Sequence, residues 1–177
     1  RSVSEMIATG LPVTFELAFY AILIALLIGV SSGVLAALKR NTYLDFIPMA
    51  IAMIGICVPT FLMGPLLVLI FGINLEILPV SGWGQLPGDK ILPSITLGFA
   101  YAAYIARLSR GGMLEVLNQD FIRTARAKGL TERNVVIKHA MQGGLIPVVS
   151  FLGPAIAGLL AGSFVVETIF QIPGLGR

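Results

Sequence analysis

Long apolar blocks alternate with short polar ones along this chain, and the block lengths are the first clue to structure. A helix needs about 20 mostly apolar residues to cross ~30 Å of hydrocarbon. Four stretches meet that length or come close to it: about Val13 to Leu38, Phe46 to Ile73, Ile91 to Leu108, and Leu145 to Val166. Residues 1–12 form an amphipathic lead-in, with Val3, Met6, Ile7 and Leu11 sharing one helical face. The pattern predicts an all-α, polytopic transmembrane helical bundle with about four spans. A polar segment, 109–144, separates the third span from the fourth.

Composition agrees with the pattern. The 177 residues are 56% hydrophobic and only 12% charged, with a mean hydropathy of +0.93. A soluble domain keeps roughly 25% of its residues charged, so the solvent expected here is lipid. The net charge of +3 does not point to nucleic acid, because the cations sit between apolar blocks and not on one basic face.

Their placement sets an orientation instead. Lys39 and Arg40 follow the first span; Arg107, Arg110, Arg123, Arg126, Lys128, Arg133 and Lys138 lie between the third and fourth. Only Arg1, Lys90 and Arg177 remain, so nine of the twelve Lys and Arg residues gather on one side. By the positive-inside rule, 39–45 and 107–144 are cytoplasmic, and 74–90 and 167–177 are extracytoplasmic. Trp83 in the outer loop reads as an interfacial anchor.

Four prolines fall inside the apolar runs: Pro59, Pro65, Pro147 and Pro154. Each removes a backbone donor and crowds the preceding turn. They are candidate kinks in helices that line a pathway. Small pairs at helix-contact spacing (Gly29 and Gly33, Gly153 and Ala157, Gly158 and Gly162) predict close helix packing.

Catalytic and metal chemistry find little support. Gly29-Val30-Ser31-Ser32-Gly33 matches a nucleophile pattern, yet it lies in an apolar helix without the strand-to-helix elbow that such a serine needs. His139 is the only histidine and has no ligand set at metal spacing. Cys57 is the only cysteine, so no internal disulfide forms, and its apolar neighbours make it a packing residue. Pro173-Gly174-Leu175-Gly176 lacks the lysine and strand–helix context of a phosphate loop. No span carries a charge at its centre, as ion-coupled carriers do, so energy for active transport would come from a partner. The first apolar run is too long for a signal peptide. With Arg1 in place of Met, the chain reads as a fragment of a longer protein.

Segment 109–144 is the informative one. Asp120 is a candidate N-cap, residues 121–128 are helix formers, and Gly129 supplies a left-handed stop. Thr131 is placed to cap the next helix. The result is a short basic helix between turns, suited to docking a soluble partner. Ala125 and Ala127 would allow close approach, and Arg123, Arg126 and Lys128 would pair with the partner's acids.

Arg123-Thr124-Ala125-Arg126-Ala127-Lys128-Gly129 resembles the coupling-loop signature of ABC importer permeases, in the variant of the dipeptide and oligopeptide branch. The wider family pattern is Glu-Ala-Ala, three residues, Gly, nine residues, then Ile-x-Leu-Pro. Aligned on Gly129, this chain has Arg123-Thr124-Ala125 at the start and His139-Ala140-Met141-Gln142 at the end. The initial acid and final proline are missing, which fits sugar and amino-acid importers less well. Val34–Asn41 and Val166–Gly176 resemble further stretches of the peptide branch, and the likeness covers essentially the whole chain. It is greatest to the first of the two oligopeptide permease subunits.

The resemblance implies the type I permease fold of ABC importers and a bacterial inner-membrane location. Family members have six spans, so this piece would lack the first and last. The docking helix would comprise Phe121, Ile122, Arg123, Thr124, Ala125, Arg126, Ala127, Lys128 and Gly129. The implied partners are a second homologous permease, two ATP-binding subunits and an extracytoplasmic peptide-binding protein. No cofactor is implied on this chain, since ATP and Mg would sit on the partner subunits. Permeases for nickel or a glycoside remain alternatives, as does a passive pore or scaffold that would not need the Arg123–Gly129 signature. An intramembrane enzyme is opposed by the lack of a His–acid partner for Ser31.

Overall fold

The computed structural model of the chain describes residues 3–176. Arg1, Arg177 and the side chain of Val3, all used above, lie outside the described residues. The regular elements there are helices: α1 Val3–Leu38, α2 Tyr43–Cys57, α3 Thr60–Leu67, α4 Ile91–Leu117, α5 Asp120–Ala127, α6 Glu132–Asn134, α7 Met141–Gly144 and α8 Ile146–Ile169. A π-helical stretch, Val68–Asn74, continues α3, and a second, Val135–Ala140, joins α6 to α7. Three helices, α1, α4 and α8, are long and apolar enough to cross a membrane. The α2–α3 pair makes a fourth only as a broken span.

α4 is the central helix, with α1, α2, α3, α7 and α8 packed around it. Lipid tails are as apolar as leucine, so helices in a bilayer associate through close packing and polar contacts, with no hydrophobic drive between them. Small residues make that approach possible. A Cβ on Gly29 would lie 2.7 Å from the Ala102 carbonyl oxygen, and one on Gly98 would lie 2.6 Å from that of Ala21. A Cβ on Gly33 would collide with the Ala106 carbonyl. Backbones of α1 and α4 therefore touch along most of the seam. Larger side chains fill the bundle beside it: Leu17, Leu92, Leu97, Leu159, Val166 and Phe170 are all buried together.

Polar staples close both ends of the bundle. At one end Arg110 on α4 grips Asp45 at the start of α2, with Nε at 2.5 Å and Nη2 at 2.8 Å from the two carboxylate oxygens. At the other, Lys90 Nζ donates to Glu16 Oε1 at 2.6 Å, and Trp83 Nε1 donates to Glu16 Oε2 at 3.0 Å. The Lys90 ammonium also sits 5.1 Å from the Trp83 ring centroid. Its hydrogen bond to Glu16 raises the Lys90 pKa above the ordinary value, outweighing partial burial. Trp83 is thus tethered by its indole N–H to α1. The buried Glu167 on α8 accepts from the Thr14 hydroxyl at 2.6 Å and from the Gly176 N–H at 2.7 Å. That carboxylate folds the tail back over α1.

The structure revises several boundaries. The lead-in is continuous with the first span in one 36-residue helix, about 54 Å long at 1.5 Å per residue. α4 runs on past Leu108 to Leu117, taking the first part of the polar segment with it. Pro147 lies in the first turn of α8, where a missing N–H costs nothing; it starts a helix and does not kink one. Pro65 and Pro154 lie inside α3 and α8 without ending them.

The largest departure is at Pro59. The second apolar run is two helices whose axes differ by 113°. A residue before proline is driven out of the α region, and Val58 is extended at φ −87°, ψ 117°. Pro59 itself is extended at ψ 148°. Two consecutive extended residues turn an expected kink into a break. The pair still runs the length of α4, because α2 begins at the level of Arg110 and the chain reaches Lys90, beside Glu16, before α4 begins.

Candidate functional site

α5 is the compact basic helix that the sequence predicts, about 12 Å long. Its fixing points explain why it stands firm. Ile122 and Ala125, three residues apart and so on one face, are buried in a cluster with Ala37 of α1, Met113 and Val116 of α4, and Val135 and Ala140. The opposite face, with Phe121, Arg123, Thr124, Arg126, Ala127 and Lys128, is exposed. This corrects one expectation: Ala125 packs inward on the chain's own helices, leaving Ala127 as the small residue on the outer face.

The ends of α5 are closed by specific bonds. The N-cap position belongs to Gln119, in extended conformation, and not to Asp120. Asp120 sits in the first turn and accepts from Arg123 Nη1 at 3.2 Å, a favourable place for a carboxylate near the positive end of the helix dipole. At the other end the Gly129 N–H donates to the Arg126 carbonyl at 2.9 Å and the Leu130 N–H to that of Ala125 at 3.4 Å. This is the paired 5→2 and 6→1 closure of a Schellman stop. It requires Gly129 at φ +78°, where a Cβ is disfavoured. Thr131 caps the next helix as expected, accepting from the Asn134 N–H at 3.4 Å.

The basic face is partly committed within the chain. Arg126 holds Glu132 in a two-pronged pair at 2.8 and 3.3 Å, which ties α5 to α6. Arg123 is 73% exposed even with its Asp120 contact. Arg123 and Lys128 are therefore the cations presented outward, on either side of Ala127.

The remaining candidates lie apart from this element. Pro59 and Pro65 are on α2–α3, and Pro147 and Pro154 on α8. Ser31 donates to the Leu27 carbonyl inside α1, and His139 lies in the π-helical Val135–Ala140 stretch. Sequence reading missed the Asp45–Arg110 and Glu167–Thr14 pairs. Only Val166–Gly176, picked out by its resemblance, hinted at the second.

Known proteins give the arrangement a context. Residues 29–177 match the profile of the family described as "Binding-protein-dependent transport system inner membrane component". The chain is 48% identical over 177 residues to the "Oligopeptide transport system permease protein OppB" of Salmonella typhimurium, covering 99% of this chain and 58% of that protein. The OppB of Escherichia coli gives the same identity and coverage. The "Dipeptide transport system permease protein DppB" of Bacillus subtilis is 46% identical over 176 residues, 99% of this chain and 57% of that one. The chain thus spans a little over half the length of these relatives. Among solved structures, one titled "Crystal structure of an amino acid ABC transporter with histidines" shares the fold. Its TM-score is 0.73 at 19% identity, over 98% of this chain and 76% of that one.

Proposed function

The chain belongs to the family of binding-protein-dependent transport system inner membrane components, and from that premise we propose that it forms part of the conduit by which an ATP-driven importer carries oligopeptides. It is a multi-pass inner-membrane protein and acts as a transport subunit, with hydrolysis belonging to partner ATPases. Within this reading the α5 end faces the cytoplasm, as the cations of segments 39–45 and 107–144 favour. α5 is the handle for an ATP-binding subunit. Two such subunits, a second permease and an extracytoplasmic peptide-binding protein complete the machine. ATP and Mg stay on the partners.

One observation carries the reading: a short helix with an exposed basic face is mounted rigidly on α4 and α1. A push on Arg123, Ala127 and Lys128 is delivered through Ile122 and Ala125 to Met113, Val116 and Ala37. Force therefore reaches the two helices that share the closest backbone seam. The peptide cargo is supported by the names of the relatives at 48% and 46% identity.

The test is the complete importer reconstituted in vesicles, with labelled peptide uptake and ATP hydrolysis measured together. Gly129→Asp puts a side chain at φ +78°, at a cost of ~1–2 kcal/mol, and adds an acid to a basic face. We expect it to cut uptake at least tenfold while the permease pair still assembles. Undiminished uptake, or a wild-type permease that never binds an ATPase, would overturn the docking role of α5.

A further inference from the structure

The break between α2 and α3 leaves backbone groups in an unusual position. Pro59 has no N–H to give to Gly55, and Val58 already donates to Ile54. The Gly55 carbonyl has therefore lost its i+4 helical donor, and among the described residues no backbone N–H reaches the carbonyl of the extended Val58. These groups are not near a membrane surface. Gly55 packs on Phe99 and Ala103 of α4, roughly 12 to 18 Å along that helix from Ile91, which is the middle of a ~30 Å core. Cys57 and Pro59 are exposed there, so Cys57 is not the packing residue that its apolar neighbours suggest.

Open backbone at that depth is not stable against lipid, where each unpaired polar group costs several kcal/mol. It persists where protein buries it or where it lines a water-filled cavity. Discontinuous helices in transporters place such groups beside cargo near the midplane. We infer that the Gly55–Thr60 break lines the aqueous conduit, and that its free carbonyls accept hydrogen bonds from the main-chain N–H groups of a passing peptide. The inference rests on the peptide-importer reading. Recognition through the main chain takes no account of cargo side chains, so the break serves peptides of any sequence. The neighbouring side chains Ile56, Val58 and Phe61 offer apolar walls without charge.

Cys57 reports on this directly, because it is the only cysteine in the chain. In the complete importer in proteoliposomes, a charged, membrane-impermeant methanethiosulfonate is expected to modify Cys57. The rate should exceed by at least tenfold that at a lipid-facing control, Phe19→Cys in a Cys57→Ser background. A saturating transported peptide should slow it at least threefold. Reaction with a lipid-soluble maleimide alone, or with neither reagent, would overturn the wet break. Peptides N-methylated along the main chain should enter at least fivefold more slowly, after normalising for capture by the binding protein. Equal entry would overturn the main-chain contact. An importer that moves no peptide, yet still exposes Cys57 to the charged reagent, would sink the cargo reading and leave the wet break supported.

Discussion

Two regions of this bundle are built from similarly apolar sequence and behave as opposites. Along the α1–α4 seam, glycines bring backbone against backbone, and residues from Leu17 to Ala37 meet partners at nearly every turn. The α2–α3 pair is cut at Val58–Pro59, mostly exposed, and touches the bundle through the Asp45–Arg110 grip and through Gly55 and Gly64, which pack on α4 and α8. Glycines set against carbonyls give a tightly packed seam. A proline between two helices gives a joint. On the proposed function, the first would serve as a frame that carries force and the second as a segment that yields to it.

Several substitutions would break or sharpen that contrast. The largest effect is expected at the seam. Gly33→Leu drives a side chain into the Ala106 carbonyl and Ser109, an overpacking worth ~3 kcal/mol or more. We expect almost no folded permease in the membrane fraction, and normal yield would show that the seam is looser than drawn. At the joint, Pro59→Ala should leave yield unchanged and lower peptide uptake several-fold, because a restored N–H lets α2 continue. Equal losses of yield and uptake would erase the distinction between frame and joint. Third, Asp45→Asn leaves Arg110 without its charge partner, at a cost of ~3 kcal/mol. The double change Asp45→Leu with Arg110→Met should recover most of it, read as thermal stability in detergent. Additive losses would argue against a pair acting as a unit.

The smallest effect concerns the loop that leads into α4. Asp89 is pushed up by burial, yet the N–H groups of Leu86, Gln85 and Gly84 outweigh that and hold its carboxyl below the usual range. A depressed folded pKa stabilises above the unfolded value, ~3.9 for an Asp, and the benefit is lost as pH falls through the folded one. Amide exchange at Gln85 and Leu86 should therefore keep its ordinary base-catalysed pH trend from pH 7 to 5, and protection should drop only below about pH 4.

The parts legible in the sequence were those with local causes. Apolar length located the long helices α1, α4 and α8, though not their ends. Gly129, followed by Thr131, announced the stop of α5 and the start of α6, because both signals act within a few residues. The misplaced features depend on distant partners. Asp120 has the chemistry of an N-cap, but Gln119 takes the position and Asp120 turns to Arg123. Ala125 looked free until Met113 and Ala140 closed over it. Pro59 promised a bend, and its size depends on Val58 adopting an extended state beside it. Asp45 and Arg110, 65 positions apart, carry no mark of each other along the chain.

The carboxylate at Glu167 has a consequence for how such a protein drifts. It touches Thr14, 153 positions away, and presses so closely on Gly174 that a methyl group there has no room. The Leu175 N–H bonds to the same threonine across 161 positions. None of these residues is free to be edited alone. Their replacements should appear together across divergent lineages, as in a shorter acid at 167 accompanying alanine at 174, so inheritance at two remote stretches of gene is expected to be correlated.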